Sequence, residues 1–326
     1  MFRFLVRRML GAGAILLIIS AITFCLFYAV PADPARSFCG KICSPTDLET
    51  VRTNLGMHEA LPLQYWHWFV ALFVGRTYPA WGDCAAPCLG YSFANHEPVL
   101  ATILDRFPTT ISLTLGAAVV FLVLGVGAGM LAAHKQGSLL DKSASAISLT
   151  FSSMQIYFIG TLAMYFLVRQ TGLLPEPHDG SITEDPAAWF SGLLLPWIVL
   201  ALIFTANYTR MTRSSMIEQL SEDHVRTARA KGMPGRTVFM RYAWRGSLGQ
   251  IITILGIDLG SLLGGAIITE TTFNLHGIGR LSIDAVVDND LPMLMAVVLV
   301  AAGLIVLFNI VVDAAYALID PRIRLA

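Results

Sequence analysis

Arg226, Arg229 and Lys231 stand within six residues of one another in a polar stretch, Ser221 to Gly235, reading SEDHVRTARAKGMPG. Cations at this spacing can donate charge-assisted hydrogen bonds to acids and carbonyls of a second protein. Val225, Ala228 and Ala230 beside them are small or apolar, and alanine favours helix. Gly232 can end that helix and Pro234 reinforces the stop. The stretch reads as a short helix whose small side chains can lie deep in a groove on another protein, with its cations at the rim. The competing reading is a solvated loop.

Other chemistry-bearing residues are few. Asp258 and Asp313 fall inside apolar runs, where a carboxylate must face protein or water. Asp258 either lines a water-filled path or hydrogen-bonds a neighbouring helix. Asp313 reads as an anchor for Arg322, Arg324 or an adjacent loop. Four of the five cysteines, Cys39, Cys43, Cys84 and Cys88, form two C-x-x-x-C pairs, and Cys25 lies in an apolar run. Four thiolates could hold zinc, but in an oxidising compartment disulfides are the better reading; three connectivities are open. No phosphate-binding G-x-x-x-x-G-K-[ST], no H-E-x-x-H and no G-x-S-x-G occurs, and the histidines are scattered. Catalysis, a resident cofactor and a metal centre are therefore not expected, and any energy must come from a partner or an ion gradient.

The elements that position these residues are membrane helices. Of 326 residues, 55% are hydrophobic and 13% charged, against roughly 25% charged in soluble proteins. Six apolar spans, at about 9–30, 107–133, 144–168, 193–213, 248–269 and 292–317, approach or exceed the ~20 residues that cross a bilayer. The fold class is all-α, polytopic, with six transmembrane helices. The first span follows Arg3, Arg7 and Arg8 but lacks a small-x-small cleavage site, so it reads as an uncleaved helix. The formal net charge of zero gives no bulk attraction to nucleic acid.

Orientation follows from basic residues. With the N-terminus inside, the short inner segments collect Arg3, Arg7, Arg8, Lys135, Lys142, Arg210, Arg213, Arg226, Arg229, Lys231, Arg236, Arg241, Arg245, Arg322 and Arg324. Both termini and the Ser221 stretch are thus expected in the cytoplasm. The chain divides into 1–30 (inner end and first helix), 31–106 (an outer region with four cysteines) and 107–326 (a five-helix core containing an inner loop at 214–247). In the outer region, Thr46 to Gly56 suits a short helix capped by Thr46 with Glu49 three residues on. Leu63 to Val74, with Tyr65, Trp66, Trp68, Phe69 and Phe73, is either an interfacial helix or one packed on the bundle. Gly125-x-x-x-Gly129 and Gly256, Gly260 and Gly264 permit close helix approach and indicate a tightly packed bundle.

The segment Glu222, Asp223-His224-Val225-Arg226-Thr227-Ala228-Arg229-Ala230-Lys231-Gly232 resembles the cytoplasmic "EAA" loop of inner-membrane permeases of ABC importers, in the branch serving peptides and nickel. Further matches run along the chain: Pro31-Ala-Asp-Pro34, Leu55-Gly56, Pro62-x-Gln64-Tyr65, Leu89-Gly-Tyr-Ser92, Arg106-Phe-Pro-Thr-Thr110, Glu270-Thr-Thr-Phe273, Gly277-Ile-Gly279-Arg280, Asp290-Leu-Pro292, Asn309, Asp313 and Asp320-Pro321-Arg322-Ile-Arg324. Their order is similar to the first of the two permeases in such a system. The chain departs from the branch pattern at Tyr242, Gly246, Gln250 and His276, and Arg76 to Pro87 resembles an insertion.

The resemblance implies a type I importer permease fold in a bacterial cytoplasmic membrane. It implies a second homologous permease, two ATPases that bind ATP and magnesium, and an outer solute-binding protein. Glu222 to Gly232 would then couple to the ATPases. The implied substrates are di- or oligopeptides, with nickel chelates, opines or oligosaccharides as alternatives. A stand-alone secondary carrier or channel, or a membrane scaffold, are the readings from other classes.

Overall fold

A computed structural model describes residues 2–29, 35, 44–57, 59–78, 82–92, 97–180 and 182–319. Cys39, Cys43, the Pro31 to Pro34 motif and Asp320 to Arg324 lie outside them. In chain order the elements are α1 (Phe2–Tyr28), α2 (Pro45–Leu55), α3 (Leu61–Val74) and the strands β1 (Arg76–Tyr78) and β2 (Gly82–Cys84). Then follow α4 (Val99–His134), α5 (Leu139–Ser153), α6 (Ile156–Gln170), α7 (Pro186–Ser221), α8 (Asp223–Ala230) and α9 (Gly235–Leu263). The last three are α10 (Ile267–Thr272), α11 (Ile278–Asp288) and α12 (Leu291–Ile319).

Among the described residues, five helices are long and apolar enough to cross a membrane, and the pair α5–α6 makes a sixth candidate if counted as one span. The third expected span is therefore broken, with its halves bent by 96°. The cause is local. Ser152 and Ser153 turn their hydroxyls back onto the carbonyls of Leu149 and Thr150, which competes with helix propagation. Met154 and Gln155 then adopt extended backbone. The fifth span also ends early, at Leu263, where Gly264 and Gly265 follow. Gly265 has φ +129, and a Cβ there would come within 2.7 Å of the Gly279 Cα. In contrast, α4 begins ahead of the expected span and runs through Pro108.

The chain forms two compact units. The first comprises Met1–Thr110, Gly260–Ile267 and His276–Leu307. In it α3 lays one face on α1: Phe24 stacks on Tyr28 and meets Tyr65 and Trp68, and Ser20 shares a hydrogen bond of 2.9 Å with the Tyr65 hydroxyl. Trp66 and Phe73 on its other face are exposed; the packed environment is found on the side that meets α1. The α2 helix starts at Pro45, one residue before Thr46, with proline in the first turn where its missing N–H costs nothing. Distant motifs meet in this unit. The Ser92 hydroxyl donates to the Asp290 carboxylate, and the Ile278 N–H donates to Thr110 Oγ1 at 2.9 Å.

The β1–β2 hairpin was not expected in an all-α chain; it pairs Arg76 with Cys84 and Tyr78 with Gly82 in the stretch that resembles an insertion. Cys84 is bonded to Cys88. This excludes the two connectivities that would tie Cys84 and Cys88 to the 39–43 segment. It also leaves neither thiolate for zinc. Both sulfurs pack on Tyr78, whose phenol is pushed above its ordinary range by burial, against the opposing charge of Arg76.

The second unit comprises Ile111–Leu259, Ile268–Leu275 and Phe308–Ala326. Its spine is α7, a 36-residue helix about 54 Å long at 1.5 Å per residue, well beyond a hydrocarbon core of about 30 Å. Asp185 caps it by accepting the N–H groups of Ala187 and Ala188 at 3.0 Å. The second half of α4 and all of α5 pack along it. Gly125 and Gly129 make this approach possible: a Cβ on Gly129 would fall 2.7 Å from the Thr209 carbonyl oxygen, and one on Gly125 would fall 2.8 Å from the Tyr208 Cβ. The small-residue pair thus seats a helix of the same chain.

Candidate functional site

The polar stretch singled out in the sequence stands at the far end of α7. That helix stops at Ser221, Glu222 turns the chain with extended backbone, and α8 begins at Asp223. The termination of α8 uses Gly232 in the left-handed region, at φ +74. The Gly232 N–H bonds the Arg229 carbonyl at 2.9 Å and the Met233 N–H reaches back to the Ala228 carbonyl at 3.3 Å. This is the paired arrangement that closes a helix with a left-handed residue. Nothing lies within 4 Å of a Cβ built on Gly232, so a side chain there is resisted by backbone conformation alone, at about 1–2 kcal/mol.

The two faces of α8 have different partners. Val225 and Ala228 are 0% and 4% exposed and pack on Val238, itself 1% exposed, with Leu220, Met233 and Tyr242 around them. Burying a valine side chain contributes about 1.5–3 kcal/mol. The apolar side of the helix is therefore spent on its own chain. The sequence reading had put all the small residues into a partner's groove; of these only Ala230 is exposed. The outward face carries Asp223, His224, Arg226, Thr227, Arg229, Ala230 and Lys231. Arg226 lies 3.6 Å from Asp223, with the two side chains 70% and 97% exposed, a geometry that contributes little to folding. These cations remain available to a second surface.

The seat of α8 is itself braced. Val238 and Tyr242 belong to a π-helical turn, Val238–Ala243, at the start of α9, and Ala243 packs with Met216 of α7 and Ala133 of α4. Where the family pattern is broken at Gly246, the Gln219 side chain occupies the space a Cβ would take. The turn between α4 and α5 is fixed to α7 by Asp141, 4% exposed, which accepts both the Arg213 guanidinium and the Gly137 N–H. Sequence reasoning missed Val238, Met233, Asp141 and Arg213. Met233 had a signal, since an apolar residue directly after a helix-ending glycine commonly folds back on the last turn. Asp141 and Arg213 are 72 positions apart, and nothing local marks them as a pair.

Asp258 sits on α9 and accepts a hydrogen bond of 2.8 Å from the Tyr208 hydroxyl of α7. Of the two readings, the interhelical bond has a named partner. Tyr208→Phe is expected to lower the thermal midpoint of the purified chain, at a cost of about 1–3 kcal/mol for the carboxylate left unpaired. Asp258→Asn keeps an acceptor and should cost less. Equal losses in both, measured by thermal unfolding in detergent, would show that the bond is not what holds Asp258. Asp313 lies on α12 and is partly buried, while Arg322 and Arg324 lie outside the described residues.

Residues 125–325 match the family described as binding-protein-dependent transport system inner membrane component, and residues 1–114 match its companion N-terminal region. A probable peptide ABC transporter permease of Sinorhizobium fredii is 35% identical over 98% of this chain and 99% of its own length. The dipeptide transport system permease of Escherichia coli is 33% identical over 99% of both chains. Among solved structures, a chain from inward-facing MetNI methionine ABC transporter aligns with a TM-score of 0.56 at 15% identity, covering 68% of this chain and 97% of its own. That likeness concerns the fold.

Proposed function

The chain belongs to the family of binding-protein-dependent transport system inner membrane components, and from that premise we propose that it carries di- and oligopeptides inward as one half of a shared path. It is a multi-pass inner-membrane permease subunit of an ABC importer and is not an enzyme; separate ATPase subunits hydrolyse ATP, and a binding protein delivers the cargo. The finer assembly is a heterodimer with a second homologous permease, served by two ATPases that hold ATP and magnesium. The peptide assignment rests on what the Sinorhizobium and Escherichia relatives are named for.

The observation that carries the mechanism is α8. It is a short helix held to its own chain by Val225 and Ala228, while its charged face is left open at the end of a 36-residue helix. A partner that grips the open face moves α7 as a lever, because α7 is continuous from its Asp185 cap to Ser221. Glu222 to Gly232 is therefore the ATPase-coupling segment, and it faces the cytoplasm together with both termini. ATP binding draws the ATPases together, the paired α8 segments follow, and the helices around α7 alternate between inward- and outward-facing states. Asp258 is held by its Tyr208 bond, which joins α9 to α7.

The test is uptake of a labelled dipeptide into vesicles. Transport should require ATP, the second permease, the ATPases and the binding protein together. Uptake by this chain alone, driven by an ion gradient, would replace the importer reading. ATP-dependent uptake of a nickel chelate, an opine or an oligosaccharide in place of the dipeptide would keep the importer and change its cargo.

A further inference from the structure

A groove in the second unit is not used by any of this. It lies between α4, α5 and α7 and has a volume of about 380 Å³, within the ~300–1,000 Å³ range of small-molecule sites. Ala128, Leu131, Ala144, Ile147, Phe151 and Leu202 give it an apolar lining, and Lys135 is the one charged residue on its wall.

The charges on the three helices fix how the groove is oriented in a membrane. Residues 107–134 of α4 carry no Asp, Glu, Lys or Arg, and Lys135 is the next. Residues 143–168 are likewise free of charge, preceded by Asp141 and Lys142. Residues 186–209 are free of charge and Arg210 follows. All three boundaries coincide at one end of the groove, where Lys135, Leu140 and Thr209 line it. From there the lining reaches Ala128, Phe151 and Leu202, which at 1.5 Å per residue is about 10–16 Å along the helices. One leaflet of hydrocarbon is about 15 Å deep, half of the ~30 Å core. A pocket that opens at a cationic rim and descends through one leaflet has the proportions of a phospholipid.

The rim favours an anion. Among the described residues, the Lys135 and Lys142 ammonium groups make no ion pair, and Asp141 is already taken by Arg213. Because α7 runs unbroken from this rim to Ser221, the leaflet concerned is the one on the side of α8. We propose that the groove seats an acyl chain of an anionic phospholipid of that leaflet, with the phosphate at Lys135. The lipid would fill the space between α5 and α7 and hold the inner half of the broken α5–α6 span against α7.

The probe is a phosphatidylglycerol with a photoactivatable group on its acyl chain, incorporated into vesicles holding the assembled transporter. Labelling is expected to concentrate in 139–153 and 202–209. Lys135→Gln, at an exposed position, should lower labelling by phosphatidylglycerol about fivefold, the factor for one cation near an anionic surface. It should leave labelling by a phosphatidylcholine analogue unchanged. Ala144→Trp fills the groove and should abolish both, with Ala144→Leu as the milder substitute if the tryptophan variant does not fold. Labelling spread evenly over the membrane helices, or insensitive to these variants, overturns the proposal. Labelling of the groove in the isolated chain but not in the assembled transporter would mean that the second permease covers it, and overturns it equally.

Discussion

Arg226→Glu combined with Arg229→Glu is expected to abolish ATP-driven uptake while the chain still folds and inserts. Both residues are exposed on the open face of α8, and the Arg226–Asp223 pair lost by the change is exposed too, so the folding cost stays near 1 kcal/mol or below. Arg229 lies in the last turn of the helix, where a cation is favoured by the helix dipole by about 0.3–1 kcal/mol. Against a partner the arithmetic is different. A desolvated charge facing the wrong sign costs about 2–5 kcal/mol, and two such sites lower affinity by roughly a thousandfold or more. Arg241→Glu is the control, being exposed and close in the chain but outside α8. The measurements are uptake into vesicles and the amount of ATPase that co-purifies. Normal uptake by the double variant with ATPase still attached would remove α8 from the coupling role. An equal loss in Arg241→Glu would mean that bulk positive charge, not docking, is being read.

The limits of α8 were legible because they depend on local chemistry. A run of helix formers, a glycine and a proline in that order mark one short helix, and the structure ends it at Gly232 as that order requires. Which side of the helix is used within the chain was not legible, because Val225 finds Val238 only after the chain turns at Pro234 and enters α9. The same limit applies to Asp258. Its placement in an apolar run demanded a partner, but Tyr208 is 50 positions away on another helix. The spans themselves were legible as long apolar runs with few charges, since hydropathy reports on lipid. The break in the third span was not, because it turns on how two serine hydroxyls bond at residues 152–153. The β1–β2 hairpin escaped detection because its strands are three residues each, too short to show alternation.

Gly129→Ala and Gly127→Ala should have opposite consequences, although they make the same change two positions apart on one helix. At Gly127 the backbone is ordinary helix, φ −59 and ψ −48, and nothing lies within 4 Å of an added Cβ. Alanine there removes only the conformational freedom of glycine and should stabilise the chain by up to about 1 kcal/mol. At Gly129 the added methyl would sit 2.7 Å from both the Thr209 carbonyl oxygen and the Thr212 Cβ. The carbonyl is main chain of α7 and cannot rotate aside, so α4 and α7 must separate. Overpacking of this kind costs about 1–3 kcal/mol, and Gly129→Leu should exceed it and prevent accumulation of folded chain. The displacement also has a functional reading, because the helix that is pushed is the one that carries α8. Gly129→Ala should therefore lose more uptake than its fall in thermal midpoint accounts for, whereas a variant destabilised equally elsewhere should not. Thermal unfolding of both alanine variants in detergent, beside uptake per folded molecule, separates these effects. Equal midpoints for the two would show that α4 does not approach α7 through Gly129, and the lever would then lack its fulcrum.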